Sequence, residues 1–298
     1  MRSENQSSVL LFFIDGLGIG ERGENNPLAV IEAVEPLAHF VDEKSEIIFD
    51  GVLIPTDPRL DIEGRPQSAS GQTTILTGIN APQILGVHKQ GFPNQILRDV
   101  IAEHSIFLQL KKLQIEPNTF ANAYTPKFFT ETPRWKSATT CAMEAANQTF
   151  RKLPDLFGRA ALFHDFTNRH LIELGFDAPV FSPSEAGEIL AVLVADHRFT
   201  LYEYFITDKI GHAQNFEKAR EYLPSLAEFV RETLRKIDLE TTTVILTSDH
   251  GNIENLAIRN HTLNDVPTIV WGRRRDEAAN RIKDLSDITP TILSLLSE

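Results

Sequence analysis

Seven residues have the types to do chemistry together: Asp15, Ser68, Asp208, His212, Asp249, His250 and His261. They are scattered along the chain, yet each falls at the end of an apolar run or in a turn. They supply three carboxylates, three imidazoles and one hydroxyl. That inventory suits two adjacent divalent metal ions and a nucleophile. Mixed carboxylate and imidazole ligation favours Zn²⁺, Mn²⁺ or Co²⁺ over Ca²⁺. Two neighbouring ions can hold the attacking and leaving oxygens of an in-line displacement. The implied chemistry is phosphoryl transfer through a covalent seryl intermediate.

Each motif also has a plain structural reading. Asp15 lies in Ile14-Asp15-Gly16-Leu17-Gly18, where glycines let the chain leave a strand sharply and uncover the carboxylate. A turn or capping Asp would look the same. Ser68 lies in Gln67-Ser68-Ala69-Ser70-Gly71-Gln72, ahead of a helical pattern closed by Gly78. A serine there has its hydroxyl beside the positive helix end and unpaired N–H groups, which favour an alkoxide and then a phosphate. The plain alternative is an N-cap, and Ser70 is a rival that spacing does not separate from Ser68. Asp208 and His212 stand four residues apart and share a face if a helix begins there. Asp249-His250-Gly251 gives adjacent ligands at one corner, and His261 precedes another apolar run. His39, His104 and His197 read as core histidines. His164, Asp165 and His170 read as solvated loop residues.

The elements that must position these groups alternate. Val9–Ile14, Leu201–Ile206, Thr242–Thr247 and Val266–Trp271 are continuous apolar runs, as expected of strands covered on both faces. Between them, 216–237 carries a helical stripe of Ala219, Leu223, Leu226, Val230 and Leu234, with a kink or fresh start expected at Pro224. A helix is expected over 185–194. Another is expected at the C-terminus, capped by Asp287 or Thr289 with Pro290 first. Alternation of this kind predicts an α/β three-layer sandwich with a mostly parallel central sheet, its ligands beyond the carboxyl ends of the strands. The 125–179 stretch is less regular and is expected to form a small inserted cap. Residues 1–124 and 180–298 would make up the core.

Composition narrows the partners. In 298 residues, 41 Asp and Glu against 29 Lys and Arg give a net charge of −12. That argues against nucleic acid or an anionic membrane surface. It leaves an anionic small substrate open, because metal ions can invert the local field. One cysteine, Cys141, excludes an internal disulfide and a Cys-rich zinc site. The first apolar run is too short for a secretory leader or a membrane span, and the cytoplasm is the default location. Composition is silent on oligomeric state.

With these motifs in order, the chain resembles the alkaline phosphatase superfamily. It is nearest to the cofactor-independent phosphoglycerate mutases and phosphopentomutases. The matching text is Asp15-Gly16, Ser68-x-x-Gly71, Asp208-x-x-x-His212, Ser248-Asp249-His250-Gly251-Asn252, His261-Thr262 and Asp287-Ile288-Thr289-Pro290. The resemblance implies that Asp15, Ser68, Asp249 and His250 hold one ion and that Asp208, His212 and His261 hold the other. It implies a Mn²⁺ or Zn²⁺ pair, with Ser68 as the residue phosphorylated. Two departures matter. Gln72 stands where the mutases often have His. No motif identifies the arginines of the mutase cap, leaving Arg134, Arg151, Arg159 and Arg169 as candidates by region. A short cap favours a phosphohydrolase of a small phosphoester. A phosphomutase of a phosphosugar or phosphoacid is the alternative, and a non-catalytic metal-binding relic is the third reading.

Overall fold

The computed structural model describes residues 6–42, 47–131 and 135–297. Strand β1, Ser8–Ile14, is buried along its whole length, as are β6, Phe199–Tyr204, and β7, Thr242–Thr247. With β2 (Val52–Thr56), β3 (Asn118–Phe120) and β8 (Val266–Gly272) they form one sheet in the order β2-β8-β7-β1-β6-β3. β1 pairs parallel with β6 and β7, and β3 pairs parallel with β6. β8 runs antiparallel to both β7 and β2. Two short strands, β4 (Ala123–Tyr124) and β5 (Arg151–Lys152), pair separately.

Period-two alternation along β1 feeds two cores. Leu10, Phe12 and Ile14 pack on one face with the Pro183–Asp196 and Phe216–Lys236 helices. Val9, Leu11 and Phe13 pack on the other with the Ser68–Thr77, Ile106–Lys112 and Ile288–Ser297 helices. This is the expected three-layer sandwich. On the first face, the Phe229 ring lies 5.4 Å from Phe12, 5.3 Å from Tyr202 and 4.4 Å from Phe166. Truncating such a residue to alanine costs roughly 3–5 kcal/mol.

Three details differ from expectation. The Phe216–Lys236 helix runs unbroken through Pro224. The carbonyl that loses its partner belongs to Arg220, an exposed residue, so water can satisfy it while the apolar stripe holds the helix. The C-terminal helix begins at Ile288, after a short 3-10 turn capped by Asp284, so Pro290 is its third residue. The Leu201–Ile206 run leaves the sheet after Tyr204, and Ile206 already starts a helix. Of the three histidines read as core residues, His39 is buried, His197 is half-buried, and His104 is exposed. The 125–179 stretch contributes Ala142 and Met143 to one core and Leu156, Phe163 and Phe166 to the other. Among the described residues, no helix is long and apolar enough to cross a membrane.

Candidate metal centre

Topology brings all seven residues to one edge of the sheet. Asp15 follows β1, and Asp249 and His250 follow β7. Asp208 and His212 sit one turn apart on the Ile206–Ala213 helix that follows β6. Because β8 runs antiparallel to β7, its start lies at the same edge, and His261 arrives just before it. Ser68 is the first residue of a helix reached from the end of β2.

One half of the centre is built from imidazoles. His212 Nε2 and His261 Nε2 are 3.1 Å apart. Each is 3.4 Å from an oxygen of Asp208. A tetrahedral Zn²⁺ with bonds of about 2.0–2.1 Å separates its ligand atoms by about 3.3–3.4 Å. The Nδ1 atoms donate to backbone carbonyls, His212 to Arg259 and His261 to Pro66, both at 2.8 Å. Those bonds fix the tautomer that leaves Nε2 free for an ion.

The other half is richer in carboxylates and more deeply buried. His250 Nε2 lies 3.3 Å from Asp15 Oδ1, 3.6 Å from Asp249 Oδ2 and 3.0 Å from Ser68 Oγ. The Gln72 amide donates to Asp15 Oδ2 at 3.2 Å and to Asp249 Oδ2 at 3.1 Å. The remaining oxygens, Asp15 Oδ1 and Asp249 Oδ1, are buried with no hydrogen-bond partner. Orphaned buried acceptors of this kind are costly, and a cation satisfies them. The residues therefore fit divalent ions. Ligand atoms of Asp15, Asp208 and His250 also lie within 4.8 Å of one another, so Asp208 stands between the halves.

The electrostatics follow from burial and crowding. Burial, then the charges of Asp249 and Asp208, raise the Asp15 carboxyl well above its usual range. Burial and Asp208 push Asp249 up to about 7, with the Gln72 hydrogen bond opposing. Burial would raise Asp208 too, but hydrogen bonds from His261 and Asn252 and the neighbouring imidazoles hold it below the carboxylate range. Burial and His261 lower His250 to about 3, keeping it neutral. Burial opposes charging of His261, yet Asp208 and the Pro66 carbonyl raise it.

Close packing sets these positions. Gly16 has φ +76°, and a Cβ there would come within 2.9 Å of Asp208. A Cβ on Gly71 would meet the Asp249 side chain at the same distance. Behind the centre, the Glu254 carboxylate accepts from the backbone N–H of Gly18 (3.1 Å) and Asn252 (2.8 Å) and from the side chains of Thr262 and Asn264. The two rival serines also part company. Ser70 is fully buried, donates to the Gln67 carbonyl and accepts from Lys89 N–H. Ser68 alone points its hydroxyl at the centre.

A cavity of about 560 Å³ opens beside Asp15, Ser68, Gln72 and Asp208. Its walls include Phe120, Tyr124, Phe128, Phe163, Phe205 and Glu203. His164 and His170 line it as well. His164 is held between Phe163 and Phe205, at 4.2 and 4.1 Å between ring centroids, rather than solvated in a loop. Asp165 is buried and accepts from the backbone of His170. The run of aromatics from 120 to 129 was the sequence signal for this cavity. Among the arginine candidates, Arg134 lies outside the described residues. Arg151 donates to Thr119 and Ala160, Arg159 pairs with Glu185 and Glu188, and Arg169 is 4.0 Å from Glu221.

A family model described as the Metalloenzyme superfamily matches residues 121–297, more than half of the chain. The chain belongs to that superfamily. Its relatives include the 2,3-bisphosphoglycerate-independent phosphoglycerate mutase of Antithamnion sp., 31% identical over 109 residues. That match covers 34% of this chain and 21% of the mutase, so the chain spans about a fifth of that relative's length. In fold it is similar to the PH0037 protein of Pyrococcus horikoshii (TM-score 0.55, 12% identity), covering 98% of this chain and 97% of that one. It is also similar to an alkaline phosphatase from the Antarctic bacterium TAB5 (TM-score 0.51, 14% identity, 98% of each chain).

Proposed function

We propose that this chain is a metal-dependent phosphoryl-transfer enzyme that acts on a small phosphoester through a phosphorylated Ser68, as a phosphohydrolase. The supporting observation is the placement of Ser68 Oγ. It sits at a helix N-terminus, 3.0 Å from His250 Nε2, where the cavity meets the ligand cluster. Asp15, Ser68, Asp249 and His250 would hold one Mn²⁺ or Zn²⁺ ion, and Asp208, His212 and His261 the other. When bound, the ions neutralise the phosphoryl oxygens and lower the pKa of the serine hydroxyl.

The chain's own groups do the rest. Ser68 Oγ loses its proton to solvent and attacks phosphorus, and the substrate alcohol leaves with the P–O bonding electrons. The positive N-terminal end of the Ser68–Thr77 helix favours negative charge on the transferred group. Water then displaces Ser68 from phosphorus, restoring the hydroxyl and releasing inorganic phosphate. Gln72 holds two carboxylates in place throughout. Residues 125–179 act as a small cap that walls the cavity. The cytoplasm is the proposed location, supported by the single, buried Cys141.

The test is direct. The protein is incubated with Mn²⁺ or Zn²⁺ and a panel of phosphoesters, quenched in acid, and the Ser68 peptide is weighed. A phosphorylated peptide that disappears in Ser68→Ala is expected. No phosphoserine and no turnover across the panel would overturn the reading. The mutase relatives favour a second reading, phosphomutase, which isomerised product without free phosphate would support. A non-catalytic relic would have had no need to keep all seven ligands.

A further inference from the structure

We propose that the alcohol half of the substrate is a flat apolar group, an aromatic alcohol with no second negative charge. This rests on the phosphoryl-transfer reading of the same site and adds the substrate class. Two aromatic walls face the cavity next to Ser68. One comes from a single stretch of chain: Tyr124 stands 6.1 Å from Phe120 and 4.4 Å from Phe128 between ring centroids. The other is the His164–Phe205 pair at 4.1 Å, with Lys209 Nζ 4.5 Å above the Phe205 ring. Rings spaced and tilted in this way receive a planar group by stacking and edge contacts.

The charges point the same way. Glu203 lines the cavity, only 9% exposed, on the strand that leads to Asp208. A second anionic group on the substrate would meet this carboxyl. Among the described residues, no arginine lines the cavity to receive such a group. Lys209 is the lysine there, and its Nζ lies over the Phe205 ring. A phosphoglycerate or a sugar bisphosphate therefore fits poorly, whereas a ring on a short linker fills the apolar volume.

The test compares esters whose alcohols leave equally well, so that leaving-group chemistry cancels. With Mn²⁺ present, kcat/KM is measured for 2-phenylethyl phosphate, ethyl phosphate and 3-phosphoglycerate. Burial of the ring should favour the phenylethyl ester over the ethyl ester by about tenfold or more, with 3-phosphoglycerate poorest. Phe128→Ala should shrink the phenylethyl-to-ethyl ratio several-fold. Because both rates come from one sample, the ratio does not depend on how much of the variant folds. A ratio within twofold of unity, or a preference for 3-phosphoglycerate, overturns the proposal while leaving phosphoryl transfer standing. Calorimetric titration of the Mn²⁺-loaded protein with 2-phenylethylphosphonate and ethylphosphonate decides the same point without turnover. Tighter binding of the phenylethyl compound by a protein inert toward every ester would sink the phosphoryl-transfer reading and keep the pocket assignment. Equal binding, or none of either, would sink the pocket assignment.

Discussion

The two halves of the centre solve different problems. Asp249 and His250 are fully buried and Asp15 is 7% exposed, so that half crowds carboxylates where water cannot screen them. In the other half, the His212 side chain is 43% exposed, and both imidazoles are held by carbonyls of the backbone. The closed half is poorly satisfied by protein groups alone, with Asp15 Oδ1 and Asp249 Oδ1 left without a hydrogen-bond partner. The open half is pre-set by its hydrogen bonds, and its His212 side chain reaches solvent. Burial, more than the type of side chain, separates the two halves.

Substitution within each half tests that contrast. His250→Ala should have the largest effect, a fall in kcat/KM of about 10³-fold, or about 4 kcal/mol. Metal analysis should show one ion fewer per chain. Retention of both ions would contradict the division drawn here.

Next in size comes a pH effect away from the ligands. Burial pushes the Glu203 carboxyl up to about 7, against a hydrogen bond from Thr139 that lowers it. A folded pKa raised above the unfolded one contributes stability below the unfolded value, about 4.5. That contribution is lost as pH rises through about 7. Glu203→Gln removes the loss. Denaturant titrations should show the variant gaining up to about 3 kcal/mol over the parent above pH 7 and nothing below pH 4.5.

Metal addition follows. A ligand at one hundred times its Kd stabilises by about 2.7 kcal/mol. Mn²⁺ or Zn²⁺ should therefore raise the melting temperature of chelator-treated protein by roughly 4 °C. His250→Ala should lose more of that rise than His212→Ala. The smallest effect expected is His212→Gln, a loss of about 10–100-fold in activity, partly restored by a higher metal concentration.

The sequence showed most of the sheet, because each buried strand is a continuous apolar run. It also pointed to the seven residues that converge at one sheet edge, because Asp and His at such run ends have few structural uses in common. The direction of β8 was hidden: an apolar run reads alike forwards and backwards, and only its pairing with β7 shows why His261 belongs. Pro224 misled because propensity is local, whereas the stripe that holds its helix straight is tertiary. His164 misled for a similar reason. Polar neighbours suggested a solvated loop; His164 does lie in a turn, but Phe163 and Phe205 pack against it from two parts of the chain.

Glu254 contacts none of the candidate metal ligands through its carboxylate, yet it staples the segments after β1, after β7 and before β8 to one another. The spacing of these three segments is thus held from behind, by a clasp outside the candidate ligand cluster. On the proposed reading, loosening it would leave every candidate ligand in place and still alter the span across which a phosphoryl group must fit.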